Sequence, residues 1–142
     1  VEKSIIMTDK PVGELAIRVL AMPADTNPAG DIFGGWLLAQ MDIGGATVAI
    51  NRVDGRVVTI AVDAMTFVKP VFVGDIVSVH GVIEKVGRTS ISVRVQAWAR
   101  RDRGHYEELV TQGVFTYVAV DEHRQSRPIG PAMPQSEKLS AD

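Results

Sequence analysis

The sequence predicts an α+β fold in which an antiparallel five-stranded sheet wraps around one long central helix, and three observations carry that expectation. Residues 35–52 are apolar at helical spacing and nearly free of charge. From residue 56 onward the chain changes to long β-branched runs joined by short turn signals. A shorter apolar run, LAIRVLAM at 15–22, stands alone before the helix, between Gly13 and Pro23.

The helix follows a loop, 23–33, tightened by Pro28 and Gly30, and starts at Gly34-Gly35. Leu38, Met41, Asp42, Gly45 and Ala49 share one face by their spacing. Trp36, Leu37, Ile43, Val48 and Ile50 occupy the other faces, so burial all round is expected. Gly44 and Gly45 weaken a helix intrinsically, which implies close packing against them. Four strands are expected over 56–68, 75–86, 89–101 and 106–120, and their short links make them antiparallel neighbours. The third alternates most cleanly, with Ile91, Val93, Val95, Ala97 and Ala99 facing a core and Ser90, Ser92, Arg94, Gln96, Trp98 and Arg100 opposite. After Asp121 periodicity fades and proline and charge rise. The expected organisation is an N-terminal segment 1–14, one domain 15–127 and a flexible tail 128–142.

One sheet curled round one helix leaves an edge strand and part of the helix uncovered. Pairing two protomers would hide both, so at least a dimer is expected. With 46% hydrophobic and 23% charged residues, 142 residues suit a single core. A net charge of -2 gives no electrostatic reason to expect nucleic acid or an anionic membrane surface as a partner. The absence of cysteine excludes disulfides, thiolate catalysis and cysteine-bound zinc. His80, His105 and His123 lack metal-ligand spacing, so no metal site is expected. No apolar run reaches the length of a signal peptide or membrane span, and the expectation is a soluble cytoplasmic protein.

Two features of residues 27–42, NPAGDIFGGWLLAQMD, point to chemistry. Asp42 is a lone carboxylate on a greasy helix, either a buried acid paired with an arginine or a backbone amide, or a reactive group. The helix start at Gly34-Gly35 offers unpaired amides and the positive dipole end, suited to a carbonyl oxygen that gains charge, although glycine also serves ordinary helix starts. Gly34 and Asp42 are eight positions apart. That is about 12 Å along a helix, too far for both to act on one carbonyl carbon. If both act on one substrate, they come from different protomers.

These residues, with RVVTIAVDAMTFVKPVFVGDIVSVHGVIEKVGRTSISV and VFTYVAVD after them, resemble the hotdog-fold acyl-CoA thioesterases, nearest the YciA-type branch, over roughly 15–127. The resemblance implies a helix wrapped by an antiparallel sheet, dimers that assemble into trimers of dimers (hexamers), and hydrolysis of acyl-CoA without a cofactor, coenzyme A being part of the substrate. It assigns the catalytic acid to Asp42 and the oxyanion-binding amide to Gly34, with Gly35 beside it on the substrate. Asn27 or Asp31 takes the place of a polar loop residue that positions thioester or water. Their structural alternatives are an Asx-turn before Pro28 and a helix cap. Sister groups carry a hydroxyl on the strand after the helix, and at the matching position this chain has Ala61. The turn Gly87, Arg88, Thr89 and Ser90, after Lys85, supplies cations, hydroxyls and glycine amides for the phosphates of CoA, or is simply a solvated hairpin. Phe67, Val68 and Lys69 border the pantetheine channel. The alternatives are a hotdog hydratase or dehydratase, which would need a histidine near the helix, and a CoA-binding module without catalysis.

Overall fold

The computed structural model describes residues 9–132. Strand β1, Glu14–Leu20, leads through a short turn into helix α1, Gly34–Val53. Four strands follow: β2, Val57–Phe67; β3, Ile76–Val86; β4, Ser90–Arg101; and β5, Tyr106–Ala119. All pair antiparallel in one sheet of order β1-β3-β4-β5-β2, so β1 and β2 are its edges. The expected fold and strand boundaries hold to within two residues.

The sheet curls over α1. Val77, Val79, Ile91, Val93, Val95, Ala97, Phe115 and Tyr117 bury against Leu37, Met41, Val48 and Ala49. The paired glycines explain how close the layers come. A Cβ on Gly44 would lie 2.6 Å from Val79 Cγ1 on β3, and one on Gly45 would overlap the Tyr117 hydroxyl and lie 3.0 Å from Val95 Cγ2.

Burial of the helix all round does not hold within one chain. Ile43 and Ile50 remain 53% and 45% exposed because a single sheet covers only part of the cylinder. The edge strand β2 is likewise bare, with Val58, Ile60 and Val62 exposed. The outer face of β4 also departs from the expected polar pattern. Gln96 and Trp98 are buried there, Gln96 Oε1 accepting from Trp98 Nε1 and from the Val12 amide, each at 3.0 Å, while Gln96 Nε2 donates to Gln112 Oε1. Buried amides are tolerated here because they satisfy one another.

Residues expected to fall in a flexible tail are held at their start. The Ile129 amide donates to Arg88 O at 2.7 Å, and Gly130 O accepts from Arg52 Nη1 at 3.0 Å. Just before them, Arg127 Nη2 donates to Val53 O at 2.9 Å, satisfying a carbonyl at the open end of α1. The rest of that stretch, 133–142, and residues 1–8 lie outside the described residues. No described helix is long and apolar enough to cross a membrane.

Gly45→Ala should destabilise the protein by about 1–3 kcal/mol despite alanine's better helix propensity, because the added methyl has to displace the Tyr117 hydroxyl. Gly35→Ala, with nothing within 4 Å of its Cβ, should be neutral or slightly stabilising. Thermal unfolding of the two variants checks this contrast: a melting temperature of Gly45→Ala equal to the parent's would contradict the packing argument.

Candidate active site

The loop before α1 is closed by local hydrogen bonds. Thr26 and Ile32 form an antiparallel bridge, and the Asn27 amide donates to Asp31 O at 2.7 Å. Asn27 Oδ1 accepts from the amides of Ala29 and Asp31 at 2.9 and 3.1 Å, the Asx-turn that its place before Pro28 allowed. That arrangement uses the oxygen and leaves the Nδ2 donors without a partner among the described residues. Asp31 is not the helix cap. Phe33 holds that position, at φ -56 and ψ 136 and without a side-chain hydrogen bond.

Gly34 and Gly35 are the first two residues of α1, and the helix carries no acid in its first turn. The first intrahelical amides to find a carbonyl are those of Trp36 and Leu37, both on Phe33 O. The Gly34 and Gly35 amides are therefore outward donors at the positive end of the dipole. The Phe67 ring approaches so closely that a Cβ on Gly34 would sit 3.4 Å from it.

A cleft of about 350 Å³ opens at this helix start. Six residues expected at the site line it: Asn27, Asp31, Gly34, Phe67, Val68 and Lys69. Ile32, Leu37, Pro70, Val71 and Thr111 complete it. Arg101 anchors the far wall. Its Nε donates to both Asp75 oxygens at 3.0 and 2.9 Å, its Nη2 to Pro70 O at 2.8 Å, and its Nη1 to Glu108. The guanidinium also lies 5.0 Å over the Phe72 ring. Burial works against this charge, but the hydrogen bonds and charges of Glu108 and Asp75 prevail and raise the Arg101 pKa. Asp75 and Pro70 lie 26 and 31 residues from Arg101, so the local pattern announced only Glu108, across the β4–β5 turn.

Asp42 is elsewhere. It lines a second cleft, of about 250 Å³, with Gly35, Leu38, Ala39, Val62 and Phe115. Neither pairing considered for a buried acid is present among the described residues. Instead Asp42 Oδ1 accepts from Thr59 Oγ1 at 2.8 Å, and the Asp42 carbonyl accepts from the Tyr117 hydroxyl at 2.9 Å. Burial and then the charge of Asp42 push the Tyr117 phenol far above its ordinary range, so it stays a neutral donor.

Thr59, two residues before Ala61, places a strand hydroxyl on Asp42. The register explains why Thr59 and not Ala61 faces the helix. Val57, Thr59 and Val62 pair with Ala119, Tyr117 and Phe115, all core residues of β5, whereas Ala61 pairs with Thr116 on the outer face. A bulge between Thr59 and Ala61 inserts a residue and reverses the alternation. Only the bulge, invisible in the residue pattern, hid this position.

The turn at 87–90 joins neither cleft. It lies beyond the end of β5 marked by Ala119, whose amide donates to Thr89 O, while the first cleft meets β5 at Thr111. At ~3.3 Å per residue those points are roughly 26 Å apart. The expectation of a free Gly87 amide is also corrected, since it donates to Ser90 O at 2.7 Å and closes the turn. Lys85 and Arg88 remain exposed.

One chain thus carries a donor-rich cleft at its helix start and a carboxylate–hydroxyl pair two turns along. Gly34 and Asp42 stand in separate clefts, and Gly35 borders the cleft of Asp42. The model of the thioesterase superfamily matches residues 29–104, from the loop through β4. The chain is 48% identical over 126 residues to the acyl-CoA thioester hydrolase YciA of Salmonella typhimurium, covering 87% of this chain and 95% of that protein. Among solved structures, a hexameric broad specificity acyl-coenzyme A thioesterase superposes with a TM-score of 0.83 at 47% identity, covering 91% of this chain and 96% of that one. The hexameric thioesterase of Yersinia pestis gives 0.81 at 49% identity, covering 85% and 99%. Fold and sequence agree across nearly the whole described domain, and the chain belongs to the thioesterase superfamily.

Proposed function

We infer that this protein hydrolyses acyl-CoA thioesters to free CoA and a carboxylic acid, with each active site built from two protomers. The observation that carries the two-protomer reading is the separation of Gly34 and Asp42 into different clefts of one chain. In this reading the Gly34 amide of one protomer receives the carbonyl oxygen, and its charge is stabilised as the tetrahedral intermediate forms. Asp42 of the other protomer activates water as general base, or attacks to give a transient anhydride that water then opens. Thr59, bonded to Asp42 Oδ1, fixes the carboxylate's orientation. The unpartnered Asn27 Nδ2 is a second donor toward the substrate carbonyl, and Asp31 lies beside it in the same cleft.

Two-fold pairing across β2 and the exposed face of α1 would cover Ile43, Val58, Ile60 and Val62 and bring the two kinds of cleft together. Hexameric relatives support further assembly into a trimer of dimers. Arg88 and Lys85 are the proposed contacts for the CoA phosphates, with Thr89 and Ser90 beside them. Water, the substrate and protein groups suffice for this reaction, so it needs no cofactor. A CoA-ester substrate supports the cytoplasmic compartment expected from the sequence.

Asp42→Ala should leave a folded oligomer whose turnover falls by about 10² or more, measured as thiol release from a panel of acyl-CoA esters. Saturable binding without thiol release by the parent protein would favour a CoA-binding module instead.

Subunit mixing tests the shared site. Phe33 has φ -56 and ψ 136, a conformation compatible with a following proline, and Gly34 opens the helix, so Gly34→Pro deletes the amide with little change to the backbone. Each single variant should be inactive, yet a random mixture of Asp42→Ala and Gly34→Pro chains should recover roughly a quarter of parental activity, because each mixed dimer restores one site of two. No recovery on mixing would place both groups in one chain's site.

Arg88→Ala should raise KM for CoA esters several-fold and leave hydrolysis of a truncated pantetheine thioester little altered. An equal effect on both substrates would count against phosphate contact.

A further inference from the structure

Thr111 lies at the inner end of the first cleft and has no counterpart in the chemistry described above. It is fully buried, and its Oγ1 is the one buried side-chain polar atom without a hydrogen-bond partner among the described residues. Its direction follows from register. Thr111 pairs with Ala97, a core residue, whereas its neighbour Gln112 pairs with Gln96 and joins the amide network on the outer face. The hydroxyl therefore sits on the helix side of the sheet, covered by the cleft lining that includes Ile32, Leu37 and Val71, and a ligand atom reaches it only when that lining yields.

A buried hydroxyl with no partner is a cost that valine, of nearly the same shape, would avoid. Sites that accept a substrate oxygen have this property before the substrate arrives, and they discriminate against analogues that lack the oxygen. The part of the substrate that reaches Thr111 follows from the cleft's polarity. Lys69 is exposed, and the Gly34 amide stands at the helix start. The nucleotide of CoA needs solvent, and the closed apolar end suits hydrocarbon. The acyl chain is therefore the group directed toward Thr111.

We propose that Thr111 is a specificity-determining residue whose hydroxyl binds an oxygen substituent near the thioester of a short acyl chain, so that the enzyme favours 3-hydroxyacyl-type esters over plain acyl esters. This rests on the acyl-CoA hydrolase reading for the position of the carbonyl.

The test compares butyryl-CoA with 3-hydroxybutyryl-CoA on the parent protein and on Thr111→Val. The parent should favour the hydroxylated ester in kcat/KM by about five- to tenfold, the range of one neutral hydrogen bond. Thr111→Val should abolish that preference, with the loss appearing in KM for the hydroxylated ester, and its melting temperature should not fall, since no bond within the protein is removed. Absence of a preference in the parent, or equal effects of the substitution on both esters, would overturn the proposal. So would no effect on either ester, which would assign the hydroxyl to an ordered water only, and so would a lowered melting temperature. The same ratio read as Kd by calorimetry on Asp42→Ala does not depend on turnover. A protein that binds the hydroxylated ester preferentially but hydrolyses neither would refute the hydrolase reading and leave the role of Thr111 standing.

Discussion

The hydrogen bond from the Tyr117 hydroxyl to the carbonyl of Asp42 is the contact on which the rest of the arrangement turns. It can form only because Gly45 presents no side chain at that point, and Gly44 gives the same freedom against Val79 one residue earlier. A phenol reaching from the sheet to a helix carbonyl fixes both the depth and the rotation of the helix. With the rotation set, Asp42 faces Thr59 on β2, and Gly34 comes to the mouth of the cleft beneath Phe67. Burial and the nearby carboxylate keep the phenol protonated, so this bond persists over the whole pH range in which a carboxylate can act as a base.

A helix is a poor way to bring its own start and its third turn to one atom, but a good way to hold them a fixed distance apart. Two such helices related by a two-fold axis place the start of each opposite the middle of the other. Ile43 and Ile50 of α1 and Val58, Ile60 and Val62 of β2 are the exposed apolar residues that such pairing would cover. On the two-protomer reading proposed above, catalysis and assembly would have one cause, since the exposed apolar surface of α1 and β2 would also complete the site. Arg101 ties Pro70, which lines the first cleft, to Asp75 and Glu108 behind it.

The parts of this structure visible in the sequence were those with a local cause. The alternation of 89–101, the glycine pair at 44–45 and the Asn27-Pro28 turn each report their own backbone, and each appears where expected. The features that escaped depend on partners far along the chain. Thr59 faces Asp42 only because of a bulge, and Ala61 held the expected place on an unbroken alternation. Arg101 meets carboxylates on two other segments, one of them 26 residues away, and the Gly87 amide is taken by the turn it was expected to leave open. Residues 128–130 look like a tail by composition, yet the Ile129 amide donates to Arg88 O and Gly130 O accepts from Arg52 of α1, groups that no neighbouring residue identifies.

The bulges of β2 also bear on how such a surface avoids indiscriminate association. A long edge strand with exposed valine and isoleucine is a template for runaway strand addition. Here the strand is interrupted twice, between Thr59 and Ala61 and again between Asp63 and Thr66, where Ala64 adopts a left-handed backbone conformation at φ 52. A straight strand from another chain can match only a few residues before its hydrogen bonds fall out of step. The edge therefore disfavours open-ended stacking of straight strands, so the irregularity that turns Thr59 toward Asp42 also guards an exposed apolar edge.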